Sequence, residues 1–312
     1  MSRILEALRK ARQNPAGAAQ HLPDVEEIIA VGSHQAPVAA STEAPRTMAA
    51  ALPVPEIPSH AFLTAEDRPL VLSCSQYDWP KNPERLAFLN EDAEISGKEQ
   101  FRTLRSLLYQ VRARGELKVI AVSSAIPGEG KSFVSANLAH AFSLQSTRKA
   151  LLIDADVRKF TGLSGMLDAP SAPGLTDYLL GERQLEDIIQ VGSLPRLYLI
   201  PAGRRVPQPG ELIGDPRFPV LLEQLKPLFD WIVIDTPPVL PTADARVIAD
   251  LSDGVLLVVN SKGTHADLAR RAALEFQHDS LLGVVLNRAS DPSATRYPAY
   301  GYGYGYGYEN AG

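Results

Sequence analysis

Short, uninterrupted apolar runs separated by amphipathic stretches organise the central part of this chain. The runs lie at 119–122, 151–153, 197–200, 231–234, 254–259 and 282–286. Apolar runs of this length, without polar alternation, read as strands buried on both faces of a parallel sheet. Between them, residues 133–142 and about 217–229, 243–250 and 265–277 carry helical patterning. Strand and helix in alternation predict an α/β fold, with a mostly parallel sheet covered by helices on both faces.

A further helix precedes the first strand. On it Phe101, Leu104, Leu107, Leu108 and Val111 share one arc, while Glu99, Arg102 and Arg105 share another. Near the start, Met1, Ile4, Leu5 and Leu8 fall on one face, with Arg3, Arg9, Lys10 and Arg12 around it. Segment 1–13 is thus either a short amphipathic helix for a membrane partner or bilayer surface, or a frayed terminus. Residues 14–68, rich in Ala and Pro, read as a flexible linker. Residues 69–290 form the expected domain, and 69–93, with Tyr77 and Trp79, join its core in a manner the pattern does not specify. Residues 291–312 are a flexible tail rich in Tyr and Gly.

Composition narrows the classes. The 312 residues, 45% hydrophobic, supply one sizeable core. A net charge of −5 gives no case for nucleic acid as a partner. The lone Cys74 allows no intramolecular disulfide, which fits the cytoplasm. No apolar run approaches a membrane span, and no signal-peptide stretch opens the sequence.

The chemistry concentrates at residues 123–132, Ser-Ser-Ala-Ile-Pro-Gly-Glu-Gly-Lys-Ser. A glycine-bearing turn between a strand and a helix is the setting of a phosphate-binding loop. Backbone N–H groups of Pro127-Gly128-Glu129-Gly130-Lys131-Ser132-Phe133, proline excepted, and the helix N-terminus favour phosphate oxygens. Lys131 reaches the outer phosphates and Ser132 offers a hydroxyl to Mg²⁺. The usual first glycine is replaced by Ala125, which suits ordinary backbone conformations. The chain is therefore expected to bind a nucleoside triphosphate.

Two strands run into acids: Asp154-Ala155-Asp156-Val157-Arg158 and Asp235-Thr236-Pro237-Pro238. Ligands of parallel sheets bind at the C-terminal strand ends, so Asp154, Asp156 and Asp235 are expected beside Lys131. Mg²⁺ takes one or two such carboxylates together with phosphates and waters.

These motifs together resemble the bacterial protein-tyrosine kinases of capsule and exopolysaccharide synthesis (BY-kinases). The resemblance covers roughly 94–287 and the tail, and includes Pro201-Ala202-Gly203 and Pro209-Gly210-Glu211-Leu212. It implies a P-loop NTPase-like fold and ATP with Mg²⁺. It assigns Ser132, Asp154 and Asp235 to the metal and Asp156 to the proton-accepting base, Asp154 being the open alternative for that role. Lys131 and Arg158 would stabilise phosphate charge, and Asn287 would contact the purine. Partitioning and cell-division-site ATPases share the fold and stand as the rival reading, a switch without kinase activity. Their loop carries an extra lysine where this chain has Ile126, followed by Pro127, and Arg158 stands where they often have Gln. Iron-protein relatives need cluster cysteines, which a single Cys74 does not supply.

The tail holds Tyr297, Tyr300, Tyr302, Tyr304, Tyr306 and Tyr308, six of the ten tyrosines. Alternating glycine gives it no core to bury. The resemblance makes these tyrosines the autophosphorylation site and makes Glu99, Arg102 and Arg105 a subunit-association motif. Extended, 287–308 spans at most roughly 70 Å, enough to reach a neighbouring subunit. The resemblance further implies a homo-oligomeric ring phosphorylating in trans, a membrane polysaccharide co-polymerase as activator, and a tyrosine phosphatase as antagonist. It places the chain in the cytoplasm, peripheral to the inner membrane through its partner.

Overall fold

The computed structural model describes residues 29–31, 74–90, 95–159, 162–276 and 280–289. Segment 1–13, the expected linker apart from 29–31, and the tyrosine tail 291–312 lie outside the described residues. The strands are β1 (Ile29–Val31), β2 (Ser75–Gln76), β3 (Val119–Ser124), β4 (Ala150–Asp154), β5 (Gln190–Val191), β6 (Leu197–Ile200), β7 (Trp231–Asp235), β8 (Gly254–Asn260) and β9 (Leu281–Asn287). The helices, renumbered in chain order, are α1 (Ile95–Arg112), α2 (Lys131–Ser143), α3 (Leu163–Leu167), α4 (Leu175–Leu179), α5 (Leu185–Ile188), α6 (Pro209–Ile213), α7 (Arg217–Leu225), α8 (Asp244–Asp250) and α9 (Ala266–Leu274).

The nine strands of the described residues form one sheet in the order β1-β9-β8-β3-β7-β4-β6-β5-β2. Every pairing is parallel except β5 with β6. This is the mostly parallel α/β architecture the apolar runs predict. Strand β3 lies between β7 and β8, and β4 lies beside β7 with Asp154 opposite Asp235. Phosphate loop and both acidic strand ends therefore open at the same, C-terminal end of the central parallel strands.

Successive strand residues serve opposite faces. Val119, Ala121, Ile153, Ile232 and Leu257 belong to one apolar cluster, joined by Phe218 and Leu221 of α7, Ile248 of α8 and Ala272 of α9. Ile120, Val122, Leu152, Val233 and Val258 belong to the other, with Phe101 and Leu104 of α1 and Leu138 and Phe142 of α2. Trp231 anchors the second face. Its ring stacks on Phe142 at 4.1 Å, and its indole N–H donates to the Tyr109 hydroxyl at 2.9 Å. The register of α1 and α2 on the sheet is thereby fixed, and with it the start of α2 at Lys131.

Segment 77–89 packs on this same face, whereas Cys74 joins the first cluster. Trp79 and Leu86 are fully buried. The Trp79 carbonyl accepts from the Ser193 N–H at 2.9 Å, and the Ala87 N–H donates to Asn137 Oδ1 at 2.6 Å. At the opposite edge Ile29–Val31, within the stretch read as linker, adds a parallel strand to Val285–Asn287. A three-residue strand gains its hydrogen bonds from an existing edge. Its sequence signal is the short apolar run Ile28-Ile29-Ala30-Val31, which the linker reading passed over because it stands alone in an Ala- and Pro-rich stretch.

Candidate active site at the phosphate loop

Strand β3 is buried along its whole length, and the chain leaves it through 125–130 into α2. Ala125 is buried and absent from the residues with positive φ, so ordinary backbone suffices there. Gly128 and Gly130 do need the left-handed region, at φ of 87° and 94°. A Cβ on Gly130 would also sit 2.0 Å from Asn287 Nδ2. The first bond of the α2 ladder runs from the Val134 N–H to the Gly130 carbonyl at 3.0 Å. The N–H groups of Lys131, Ser132 and Phe133 precede that ladder and face out of the helix N-terminus, the arrangement that receives a phosphate. The Phe133 ring packs edge-on against Phe101, so only its N–H is offered to a ligand.

The two acidic strand ends converge on Lys131. Its ammonium donates to Asp156 Oδ2 at 2.7 Å and lies 3.6 Å from Asp235 Oδ2. Asp235 also accepts from Ser132 Oγ at 2.6 Å and from Ser135 Oγ at 3.0 Å. Asp154 is held by the N–H of Leu163 at 3.0 Å and by that of Asp156 at 3.3 Å. All three carboxylates are at most 4% exposed.

Burial sets the electrostatics. Desolvation, aided by the neighbouring Asp235, pushes the Asp154 carboxyl up to about 8. Asp235 is also raised by burial, with Lys131 and the Ser132 hydroxyl opposing the shift. For Lys131 burial disfavours the charge, but Asp235 and Asp156 outweigh it and the pKa rises. One lysine thus faces three carboxylates. That excess of hard, anionic oxygen beside a serine hydroxyl fits Mg²⁺, which is held by few protein groups and completed by phosphates. Among the described residues no trio of His, Cys, Asp or Glu forms a metal cage of its own.

Three sequence-predicted residues have protein partners that their motifs did not foretell. Arg158 grips Asp244, the first residue of α8, with Nε to Oδ2 at 2.7 Å and Nη2 to Oδ1 at 3.0 Å. Gly210 closes over this pair, and a Cβ there would lie 2.4 Å from Arg158 Nη2. Asn287 turns its amide onto the phosphate loop, Nδ2 donating to the Glu129 carbonyl at 2.8 Å. Glu129 is 2% exposed, and its carboxylate accepts from protein groups on both sides of the loop. Sequence reasoning missed Asp244 and Ser135. Ser135 is one of several buried polar residues of α2, with Asn137, His140 and Ser143, so only its place one turn after Lys131 pointed to the site. Asp244 looks like any acid at a helix start.

The proposed association motif is divided. Glu99 and Arg102 pair with each other on the exposed face of α1. Arg105 instead donates to the Ala141 carbonyl at 2.7 Å in the last turn of α2.

The AAA domain family matches residues 117–267, the span from β3 into α9. The chain is 38% identical over 183 residues to a tyrosine-protein kinase, CpsD, of Streptococcus agalactiae serotype Ia, covering 58% of this chain and 78% of the relative. It is 35% identical over 220 residues to the succinoglycan biosynthesis transport protein ExoP of Rhizobium meliloti, covering 69% of this chain but 28% of that longer protein. The kinase domain of the Escherichia coli tyrosine kinase ETK superposes with a TM-score of 0.60 at 31% identity, covering 66% of this chain and 81% of that domain.

Proposed function

The chain belongs to the bacterial protein-tyrosine kinases, and from that premise we propose that it is an ATP-dependent tyrosine autokinase acting on its own C-terminal tyrosine cluster. The observation that carries the reading is Lys131 at the head of α2, flanked by Asp156 at 2.7 Å and Asp235 at 3.6 Å. Phosphoryl transfer asks for positioning and charge neutralisation more than covalent catalysis, and these groups supply both.

In this reading the N–H groups of 128–133 cradle the phosphates. Lys131 leaves Asp156 for the β- and γ-phosphates when ATP enters. Asp156, released from its ion pair, accepts the proton of the attacking tyrosine hydroxyl, whose ordinary pKa is about 10. Ser132, Asp154 and Asp235 are the groups that would hold Mg²⁺, which on binding would neutralise phosphate charge. Arg158, anchored on Asp244, positions the 156–158 turn, and Asn287 borders the purine side of the loop.

The acceptors are Tyr297, Tyr300, Tyr302, Tyr304, Tyr306 and Tyr308, presented in trans within a homo-oligomeric ring that uses the exposed Glu99–Arg102 face. Each phosphotyrosine adds about −1.5 to −2 charges, so phosphorylated tails repel and loosen the ring. A tyrosine phosphatase resets the cycle. The process controlled is synthesis and export of an extracellular polysaccharide, as the name of the succinoglycan transport relative suggests. The kinase works at the cytoplasmic face of the inner membrane, recruited and activated by a membrane co-polymerase. Among the described residues no helix is long and apolar enough to cross a membrane.

Mixing tests the transfer. A Lys131→Met chain with an intact tail is combined with an active chain lacking 291–312, and Mg²⁺-ATP is added. Phosphotyrosine on the inactive chain's tail is the expected result; an unlabelled tail in this mixture, where the unmodified chain labels its own tail under the same conditions, contradicts transfer in trans.

A further inference from the structure

Glu129 lies inside the phosphate loop, between two glycines that hold left-handed backbone, yet its side chain is bound to the protein's own scaffold. Oε2 accepts from the Ile126 N–H at 2.8 Å, across the loop. Oε1 accepts from the Asn260 N–H at 3.1 Å and from the Thr264 hydroxyl at 2.6 Å. Asn260 ends β8, and Thr264 closes the turn that follows, its N–H donating to the Asn260 carbonyl at 3.0 Å. Among the described residues the carboxylate has no cationic partner, so these three neutral donors replace its water.

We infer that Glu129 and Thr264 form a latch that fixes the phosphate loop in its nucleotide-receiving shape, which makes Thr264 a positioning residue for ATP. The inference rests on the reading of 125–132 as the nucleotide loop. Hydroxyl-to-carboxylate bonds are among the stronger ones, and this one is short, with its carboxylate buried. Without it the carboxylate regains hydration only by turning outward, which draws the backbone between the two glycines with it. A loop that holds the receiving shape for a fraction of the time binds nucleotide more weakly by that fraction. Once nucleotide is bound the loop is ordered by its contacts, so the rate at saturating ATP is little changed. The turn at 260–264 is thereby linked to nucleotide affinity, although nothing in its sequence marks it as part of the site.

Titration of the full chain with a fluorescent ADP, with Mg²⁺ present, tests the latch. Thr264→Val, which removes the hydroxyl at near-constant volume, is expected to weaken affinity about tenfold. Thr264→Ser, which restores the donor, is expected to match the unmodified chain. Tail phosphorylation should show KM for ATP rising in the valine variant with kcat retained. Equal affinity in Thr264→Val and the unmodified chain overturns the latch, even if the valine variant melts at lower temperature. Equal weakening in the valine and serine variants also overturns it, since the hydroxyl is then not the cause. An unmodified chain that binds no nucleotide overturns the phosphate-loop reading itself, and the latch with it.

Discussion

Arg158 and Asp244 meet in a two-point ion pair that ties the turn after β4 to the first residue of α8, with bonds of 2.7 and 3.0 Å. Arg158 is 43% exposed at the side chain while Asp244 is 6% exposed, so the pair stands at the rim of the site with its anion buried. The Asp244 contact holds the Arg158 pKa above its ordinary value. Asp156 is two residues from this anchor. Asp244→Ala is expected to cost about 1 kcal/mol of stability, since the exposed guanidinium is screened by solvent. The same change should slow tail phosphorylation about tenfold through misplacement of Asp156. Urea melts and initial rates check the two parts separately; an unchanged rate would free Arg158 from the positioning role.

Gly130 carries both a positive φ and a close neighbour. Gly130→Ala adds backbone strain of about 1–2 kcal/mol and drives a methyl into the Asn287 amide. Nucleotide affinity should fall more than tenfold. Asn287→Ala should fall less, and combining the two should recover only the steric part, because the φ remains wrong for alanine. Calorimetric titration of the three variants with Mg²⁺-ADP checks the order.

His140 gives the fold a predictable acid response. It is buried, its Nδ1 has no hydrogen-bond partner among the described residues, and burial lowers its pKa from 6.5 to about 4. A depressed pKa means that the unfolded chain takes up the proton first. This contribution to stability is therefore complete above 6.5 and is lost as pH falls from 6.5 towards 4. The loss amounts to about 3 kcal/mol at the lower end. Denaturant melts at pH 7 and 4.5 should show His140→Gln losing less stability on acidification than the unmodified chain. Parallel losses in both would contradict the assignment.

The split of the Glu99, Arg102 and Arg105 motif predicts separable phenotypes. Arg102→Glu should reduce oligomer mass and leave the melting temperature nearly unchanged, because its pair is exposed and worth little. Arg105→Ala should lower stability by about 1 kcal/mol through loss of its bond to the Ala141 carbonyl. Light scattering and thermal melts on both variants distinguish the roles.

The central strands and the phosphate loop were legible because their signals are local. A buried parallel strand must be apolar on both faces, and a phosphate loop must place glycine and lysine at fixed spacing. Lys131, Asp154, Asp156 and Asp235 do gather at the C-terminal ends of the central strands, as the strand-end rule implies. Contacts made across the fold were not legible. Asp244 lies 86 residues from Arg158 and Thr264 lies 135 from Glu129, so no window of sequence pairs them. The two-residue strands β2 and β5 draw on neighbouring edges rather than on a pattern of their own. Segment 74–90 owes its place to a few large contacts, Trp79 and Leu86 above all, without helical or strand period.

The most direct test of the account is intact-mass analysis with tyrosine mapping after phosphatase-treated protein is incubated with Mg²⁺-ATP, alongside Lys131→Met. Phosphate is expected to accumulate on Tyr297–Tyr308 in the unmodified chain, with none in the variant. ATP hydrolysis without phosphate on the tail, even with a cytoplasmic fragment of the membrane activator present, would contradict it and leave an ATPase switch in its place.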